Sequence, residues 1–264
     1  MRLANRTKEV EFFKKMLLGQ VPQRILLIEA ASGMGKTSLL AEFASLCPAH
    51  AKAAVLVAID LKSAQTGISH IFWRIQDDFG EEYFKNFNAE ITGFLRAGIG
   101  ASGNQIEVSG NQIQGTANHI QVILNAETEE TRNMRLSKLQ VAFFRDLKAI
   151  QKPIVMIFDT FNSASPSVAN WIGGDFLAKV AKVEDIRVVI AGQSVPKPTI
   201  EWGSLAATHP LYKIDDAEAW YSFSKSRNWD FAKESIELFV RYLNGQPSQI
   251  LQALESLARG RENE

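Results

Sequence analysis

The feature that most restricts the fold is a glycine-rich segment between an apolar run and a helical stretch. Residues 30–37 read AASGMGKT and follow the apolar run at residues 24–28, which Pro22 bounds on the other side. A short apolar run between such breakers predicts a buried strand, and the residues after the glycines predict a helix. A strand, a glycine loop and a helix in this order are typical of a phosphate-binding loop.

The residue types in this loop have separate physical roles. Gly33 and Gly35 allow backbone N–H groups to curl around an anion, and the following helix directs the positive end of its dipole there. Lys36 supplies a charge for the β- and γ-phosphates, and Thr37 supplies a hydroxyl for Mg²⁺. Ala30 stands where the usual first glycine would be, and this substitution costs little if the backbone there keeps a negative φ. The loop therefore predicts binding of a nucleoside triphosphate with Mg²⁺.

A second apolar run ends in a carboxylate. Residues 154–158 read IVMIF and Asp159 follows them. An apolar strand that ends in Asp is common by itself, but beside a phosphate loop it predicts a group that holds Mg²⁺ through water. Residues 160–162 are Thr, Phe and Asn, so no acid is placed there to polarise an attacking water. We therefore expect weak hydrolysis at most, with Glu29 as a distant alternative base.

Apolar runs alternate with helical patterns along most of the chain. This alternation predicts an α/β fold with a mostly parallel five-stranded sheet flanked by helices. The predicted strands are residues 24–28, 53–59, 154–158, 187–191 and 211–214, and Pro48 is predicted to stop the helix after the glycine loop. From residue 215 onward the pattern is helical only. We therefore predict a nucleotide-binding domain at residues 1–214 and a small helical domain at residues 215–264.

One segment interrupts the alternation. Residues 102–108 and 109–115 repeat the order Ser-Gly-Asn-Gln-Ile, and residues 116–122 form a weaker third copy. Gly-Asn turns between short Ile-containing strands favour a small β-hairpin-like insertion, over about residues 99–125, on the surface. Its open strand edges would suit a protein partner or a second copy, and a passive surface insertion remains an equal alternative.

Composition limits the other functions. Among 264 residues, 29 basic and 29 acidic side chains give a formal net charge of zero. An overall positive electrostatic field that would attract nucleic acid or an anionic membrane is therefore not expected. Cys47 is the single cysteine and forms no internal disulfide. Without a signal peptide or an apolar run long enough for a membrane span, the expected location is the cytoplasm.

With these motifs in place, the chain resembles the STAND-type P-loop NTPases, relatives of the AAA ATPases that include the NACHT and NB-ARC groups. Residues 5–9 (NRTKE) resemble the Arg-x-x-Glu motif at the entry of such domains, and residues 28–37 match the nucleotide loop with its preceding glutamate. Residues 189–193 (VIAGQ) resemble the sensor strand, although Gln193 stands where the family often has arginine. Residues 245–247 (GQP) resemble the Gly-x-Pro signature of the helical domain.

The resemblance implies ATP or ADP with Mg²⁺ as the ligand. It implies that the segment around Arg6 packs near the adenine and that Pro247 contacts the base, although Gly245 and Pro247 would equally serve as ordinary helix punctuation. Lys36 and Asp159 are the predicted catalytic residues, and Thr37 and Asp159 are the predicted metal ligands. The predicted nucleotide contacts are Asn5, Arg6, Ser32, Gly33, Met34, Gly35, Lys36, Thr37, Ser38, Gln193 and Pro247.

The implied function is a switch whose nucleotide state controls domain docking or assembly with protein partners or with itself. Two alternatives remain open at this point. One is an active AAA-like remodelling ATPase that acts on DNA, which would require a catalytic acid, an arginine supplied in trans and a basic surface. The other is a scaffold that does not hydrolyse nucleotide.

Overall fold

The structure is a computed structural model of the chain, and it describes residues 3–50, 55–62, 67–97, 112–126 and 128–262. Five strands form one sheet in the order β2-β3-β4-β1-β5, and every paired neighbour is parallel. The strands are β1 (Ile25–Glu29), β2 (Val55–Asp60), β3 (Ile154–Asp159), β4 (Ile186–Gly192) and β5 (Ala206–Pro210). This confirms the predicted mostly parallel five-stranded α/β architecture.

Helices connect the strands and continue beyond the last of them. The part of the chain that contains the sheet also contains α1 (Thr7–Leu17), α2 (Lys36–His50), α3 (Ile68–Phe79), α4 (Lys85–Arg96), α5 (Gln112–Leu124), α6 (Glu129–Ala149), α7 (Pro166–Trp171) and α8 (Leu177–Val180). The chain then continues with α9 (Ala217–Ser226), α10 (Lys233–Tyr242) and α11 (Pro247–Glu262). None of the described helices is long and apolar enough to cross a membrane.

The sheet is covered on both faces because its strands are apolar on both sides. Ile25 and Leu27 of β1 belong to one buried cluster with residues of α3 to α8. Leu26 and Ile28 belong to a second buried cluster with residues of α1 and α2. Successive side chains of a strand point to opposite faces, so four consecutive apolar residues require two covering layers. The sandwiched β1 therefore holds the following loop at the carboxyl edge of the sheet.

Two predicted boundaries were wrong. The fifth strand was expected at residues 211–214, but β5 is Ala206–Pro210. It is an edge strand of half-buried and exposed residues that pairs in parallel with β1. Leu211 and Ile214 are buried for another reason, because they pack into two different clusters beyond the strand. Pro48 does not stop α2 but lies inside it, near the end at His50. A proline so close to a helix end interrupts little of the remaining hydrogen bonding.

The expected β-hairpin-like insertion is wrong for residues 112–122, which lie in α5, whereas residues 102–111 lie outside the described residues. Ile120, Ile123 and Leu124 are buried in the cluster that covers one face of the sheet. Seven residues are two helical turns, so the seven-residue repeat also places apolar side chains on one helix face. Burial of that face overrides the weak helix propensity of Gly and Asn. This part of the segment belongs to the core and is not a surface decoration.

Helices α9 to α11 form a helical unit with an apolar cluster of its own. Trp220, Ile236, Ile250 and Leu254 are buried there. Ala4, close to the start of the chain, is buried in the same cluster. The helical unit is thus packed against the N-terminal segment that precedes α1.

Candidate nucleotide site

The glycine loop joins the end of β1 to the start of α2. Gly33 has φ of +79° and Gly35 has φ of +84°, values that only glycine adopts at little cost. Ser32, Thr37 and Ser38 are exposed, whereas Met34 is buried beneath the loop. This geometry turns backbone N–H groups outward at a helix N-terminus, which is a site that favours anions.

Lys36 is held against the loop that precedes it. Its Nζ donates hydrogen bonds to the carbonyl oxygens of Ala30 (2.6 Å) and Ala31 (2.8 Å). Burial lowers the pKa of Lys36 below its ordinary value, and the negative charge of Asp159 opposes part of that decrease. The ammonium group therefore lies at the loop, where a phosphate would be bound, and has an acid near enough to favour its charged form.

Thr37 and Asp159 lie together although they are far apart in the sequence. Thr37 Oγ1 donates to Asp159 Oδ2 at 2.9 Å, and Asp159 Oδ1 accepts from the Thr160 N–H at 2.7 Å. A hydroxyl and a carboxylate beside a phosphate loop are oxygen donors that suit Mg²⁺. These residues fit the predicted metal role, and an ion between them would replace their direct hydrogen bond.

Arg6 ties the N-terminal segment to two parts of the site. Its guanidinium Nη2 donates to the carbonyl oxygens of Met34 (3.0 Å) and Tyr212 (2.8 Å), and its side chain is buried. Burial lowers the pKa of Arg6, and Glu9 partly opposes this, although an arginine remains charged. Asn5 is exposed and has φ of +43°. Arg6 therefore joins the loop at Met34 to the segment after β5 at Tyr212, contacts that the resemblance alone does not predict.

A cavity of about 480 Å³ opens beside the loop. One wall is formed by Leu3, Ala4, Arg6, Met34, Gly35, Ser38, Ala41 and Glu42, and the other by Ile214 and residues of the helical unit. The residues of that second wall are Ile214, Trp220, Phe223, Arg227, Pro247, Ser248, Leu251, Gln252 and Glu255. The cavity has aromatic and apolar lining with a few polar groups, as expected of a site for a planar base.

The helical unit also contacts the loop directly. The Ser248 N–H donates to the carbonyl oxygen of Gly33 at 3.0 Å. A Cβ at Gly33 would lie 2.6 Å from Ser248 Oγ and 3.0 Å from Gln246 Nε2. The first turn of α11 therefore touches the phosphate loop itself. Sequence reasoning missed Ser248, because a serine in the first turn of a helix carries no local signal for a contact 215 residues away.

Gly245 and Pro247 fit both interpretations given to them. Gly245 has φ of +65°, and its N–H bonds to the Val240 carbonyl at 2.9 Å, as at the end of a helix. Asp215 approaches so closely that a side chain at Gly245 would collide with it. Pro247 begins α11 and lines the cavity. The turn is helix punctuation, and it also brings Pro247 to the cavity.

Gln193 lies at the carboxyl end of β4 with an exposed side chain. The backbone N–H of Gln193 donates to Asn162 Oδ1 at 2.9 Å. Gln193 is not among the described residues that line the cavity, so its predicted contact with nucleotide is not placed there. In the sequence Asn162 was considered only as a position without an acid, yet its side chain accepts a hydrogen bond from the residue after β4.

Two solved structures share this fold. One is the Aeropyrum pernix ORC1 protein in complex with DNA, with a TM-score of 0.53 and 12% identity, covering 99% of this chain and 61% of that chain. The other is Cdc6p from Pyrobaculum aerophilum, with a TM-score of 0.57 and 12% identity, covering 100% of this chain and 63% of that chain. No protein-family model and no curated protein matches the sequence.

At this identity the likeness establishes the fold alone. The chain has the α/β fold of the P-loop NTPases, with the sheet order and the loop position described above. It spans about three-fifths of the length of each of the two solved proteins.

Proposed function

We propose that the chain is an ATP- and ADP-binding switch module of AAA-like architecture, in which α9 to α11 act as a lid. The observation that carries this proposal is the hydrogen bond from the Ser248 N–H to the Gly33 carbonyl. A phosphate would bind backbone N–H groups of the loop, and the lid bonds to a carbonyl oxygen of the same loop, so both contacts depend on the conformation of the same few residues. Nucleotide binding and lid position are therefore coupled.

The cavity supports the same proposal. Its walls belong to both the loop side and the lid, so a nucleotide held there touches both. A ligand shifts an equilibrium between two states by its difference in affinity for them. A nucleotide that bridges the walls favours the docked lid, and its loss releases the lid. The output is the availability of the lid for other domains, partner proteins or a second copy.

The chain's own residues have distinct roles in binding. Lys36 contributes positive charge at the β- and γ-phosphates, and the turned N–H groups of the loop bind phosphate oxygens. Thr37 and Asp159 hold Mg²⁺, which neutralises phosphate charge when bound. Arg6 fixes Met34 and thereby the floor of the cavity.

Slow hydrolysis is part of this proposal. The three residues after Asp159 supply no carboxylate, and Phe161 among them is buried. Glu29 ends β1 with an exposed side chain and remains the alternative base. Single-turnover cleavage of ATP by the chain is expected well below the typical enzyme value of about 10 s⁻¹.

The finer assignment to the STAND type rests on the Arg6, Gln193 and Gly245–Pro247 motifs. The names ORC1 and Cdc6p do not single out that type, and they support the remodelling alternative better. The second candidate function is therefore a DNA-associated ATPase, because the similar ORC1 structure is a complex with DNA. This second candidate departs from the expectation against nucleic acid, which rested on a net charge of zero.

Calorimetric titration with Mg-ATP and Mg-ADP tests the proposal, followed by single-turnover hydrolysis. Saturable binding of both nucleotides with slow cleavage supports the switch. Absence of binding contradicts it. Rapid cleavage, together with salt-sensitive binding of a labelled DNA duplex that depends on ATP, would favour the second candidate.

A further inference from the structure

The side chain of Asn162 bonds to the residue that follows β4, although Asn162 itself comes after β3 in the sequence. It lies in a short 3₁₀ turn, Phe161–Ser163, soon after Asp159. Its Oδ1 accepts a hydrogen bond from the Gln193 N–H at 2.9 Å. Because β3 and β4 are parallel neighbours, the two residues meet at the carboxyl edge of the sheet, where the loop also lies.

The orientation of the Asn162 amide follows from its partner. A backbone N–H can only donate, so the acceptor must be Oδ1 and the other end of the amide must be the NH₂ group. The side chain is exposed, and its Nδ2 has no hydrogen-bond partner in the described ranges. The group presented at this edge is therefore a donor of two hydrogen bonds.

The turn that carries Asn162 is fixed. Thr160 has φ of +57°, an unusual value for a β-branched residue, and its N–H bonds to Asp159 Oδ1. The Ser163 N–H bonds to the Thr160 carbonyl at 2.8 Å. Such backbone geometry persists where the surroundings hold it, and it is found at ligand sites. Here this backbone turn fixes the position of Asn162 relative to Asp159, the predicted metal ligand.

The sheet order places this donor between the two other parts of the predicted phosphate site. β4 lies between β3, which ends in Asp159, and β1, which leads into the loop with Lys36. The hydrogen bond between Thr37 and Asp159 spans the same interval. If the loop and Mg²⁺ hold a triphosphate, its far end would lie toward this edge. An ADP molecule in the same loop ends one phosphate earlier.

We propose that Asn162, oriented by the Gln193 backbone, donates to the terminal phosphate of ATP and so distinguishes ATP from ADP. This inference rests on the proposed nucleotide switch. It gives a sensing role to the side chain of Asn162, because Gln193 stands where the family often has arginine and contributes only its backbone N–H here. The alternative is that Asn162 merely ties β3 to β4.

Asn162→Asp separates the two roles. The variant keeps an acceptor for the Gln193 N–H at the same position, but it replaces the donor with a negative charge. We expect the affinity for Mg-ATP to fall about tenfold or more, as for loss of a hydrogen bond to a charged group, while the affinity for Mg-ADP stays within about twofold. Asn162→Ala should show a smaller loss that is also specific to ATP.

Asn133→Asp is the matched control, because it makes the same change of charge at an exposed position in α6. It should leave the ATP to ADP affinity ratio unchanged, and circular dichroism checks that each variant is folded. If Asn162→Asp keeps the wild-type ratio, or if both nucleotides weaken equally in both Asn162 variants, the sensing role is wrong. A wild-type chain that binds neither nucleotide overturns the proposed function itself, which is a distinguishable result.

Discussion

The phosphate half of the site, residues 30–37 with Asp159, and the lid, α9 to α11, are held in place differently. The phosphate half follows central strands of a parallel sheet that is buried on both faces. The lid has a small cluster of its own, and its described backbone bonds to the rest include Ser248 to Gly33. Elements with little buried contact are those that open at low free energy. The comparison predicts that the lid is the half that moves when nucleotide binds.

The largest effect is expected from a cavity in the lid cluster. Ile250 of α11 is fully buried, and Ile250→Ala should destabilise the lid by about 2–5 kcal/mol. Hydrogen exchange should then become fast in α9 to α11 and stay slow in β1, β3 and β4. Leu257→Ala on the same helix is the control, because Leu257 is 43% exposed. Equal loss of protection in both halves would mean that they unfold as one unit.

Removing the loop cation should affect only the phosphate half. Lys36→Ala should weaken Mg-ATP binding by about 10–100-fold, the range for a hydrogen bond to a charged group. The fold should remain, since the Lys36 side chain only donates to two loop carbonyls and fills no core position. Calorimetry measures the affinity, and Lys179→Ala on α8 controls for loss of a positive charge. Unchanged affinity in Lys36→Ala would contradict the assignment of the phosphate loop.

Two glycines of the loop test how the halves are joined. Gly33→Ala and Gly35→Ala both place an L-residue at positive φ, which costs about 1–3 kcal/mol. Only the methyl group at Gly33 would meet Ser248 and Gln246, whereas a Cβ at Gly35 has nothing within 4 Å. Limited proteolysis should therefore cut the lid faster in Gly33→Ala than in Gly35→Ala. Identical cleavage rates would show that the lid does not rest on Gly33.

The smallest expected effect is a pH dependence of the part of the chain before residue 215. Burial lowers the pKa of His209 on β5, although Glu9 opposes it, and burial and then Arg74 lower the pKa of His70 on α3. The unfolded chain binds these protons first, so stability declines as pH falls below the ordinary histidine value of about 6.5. Residues 215–264 contain no histidine. The melting temperature should fall slightly from pH 7.5 to 5.5, and less so in His209→Gln.

The phosphate half was predictable because its signals are local. The order of apolar run, glycine loop and Lys36–Thr37 specifies strand, turn and helix within a short stretch, and Asp159 directly ends its own apolar run. Asn162 and Ser248 were not predictable, because each acts through a backbone partner that is distant in the sequence. Residues 112–122 were misassigned because Gly and Asn lower local helix propensity, while burial of Ile120 in the core decides the structure.

Asp159 offers one further way to sharpen the comparison. Asp159→Ala removes the acceptor of the Thr37 hydroxyl and the predicted metal ligand. The gain in ATP affinity on adding Mg²⁺ should then shrink, while binding in EDTA changes little. Wild-type binding that is indifferent to Mg²⁺ would show that Asp159 does not hold the metal.

The most direct test of the coupling between nucleotide and lid is the exchange rate of the Ser248 amide, which donates to Gly33. Hydrogen exchange is measured on the whole chain without nucleotide and with saturating Mg-ADP, beside Lys36→Ala at the same nucleotide concentration. The account predicts slower exchange at Ser248 when wild type binds nucleotide, and a clearly smaller change in Lys36→Ala. Saturable nucleotide binding that leaves exchange at Ser248 unchanged would contradict the switch.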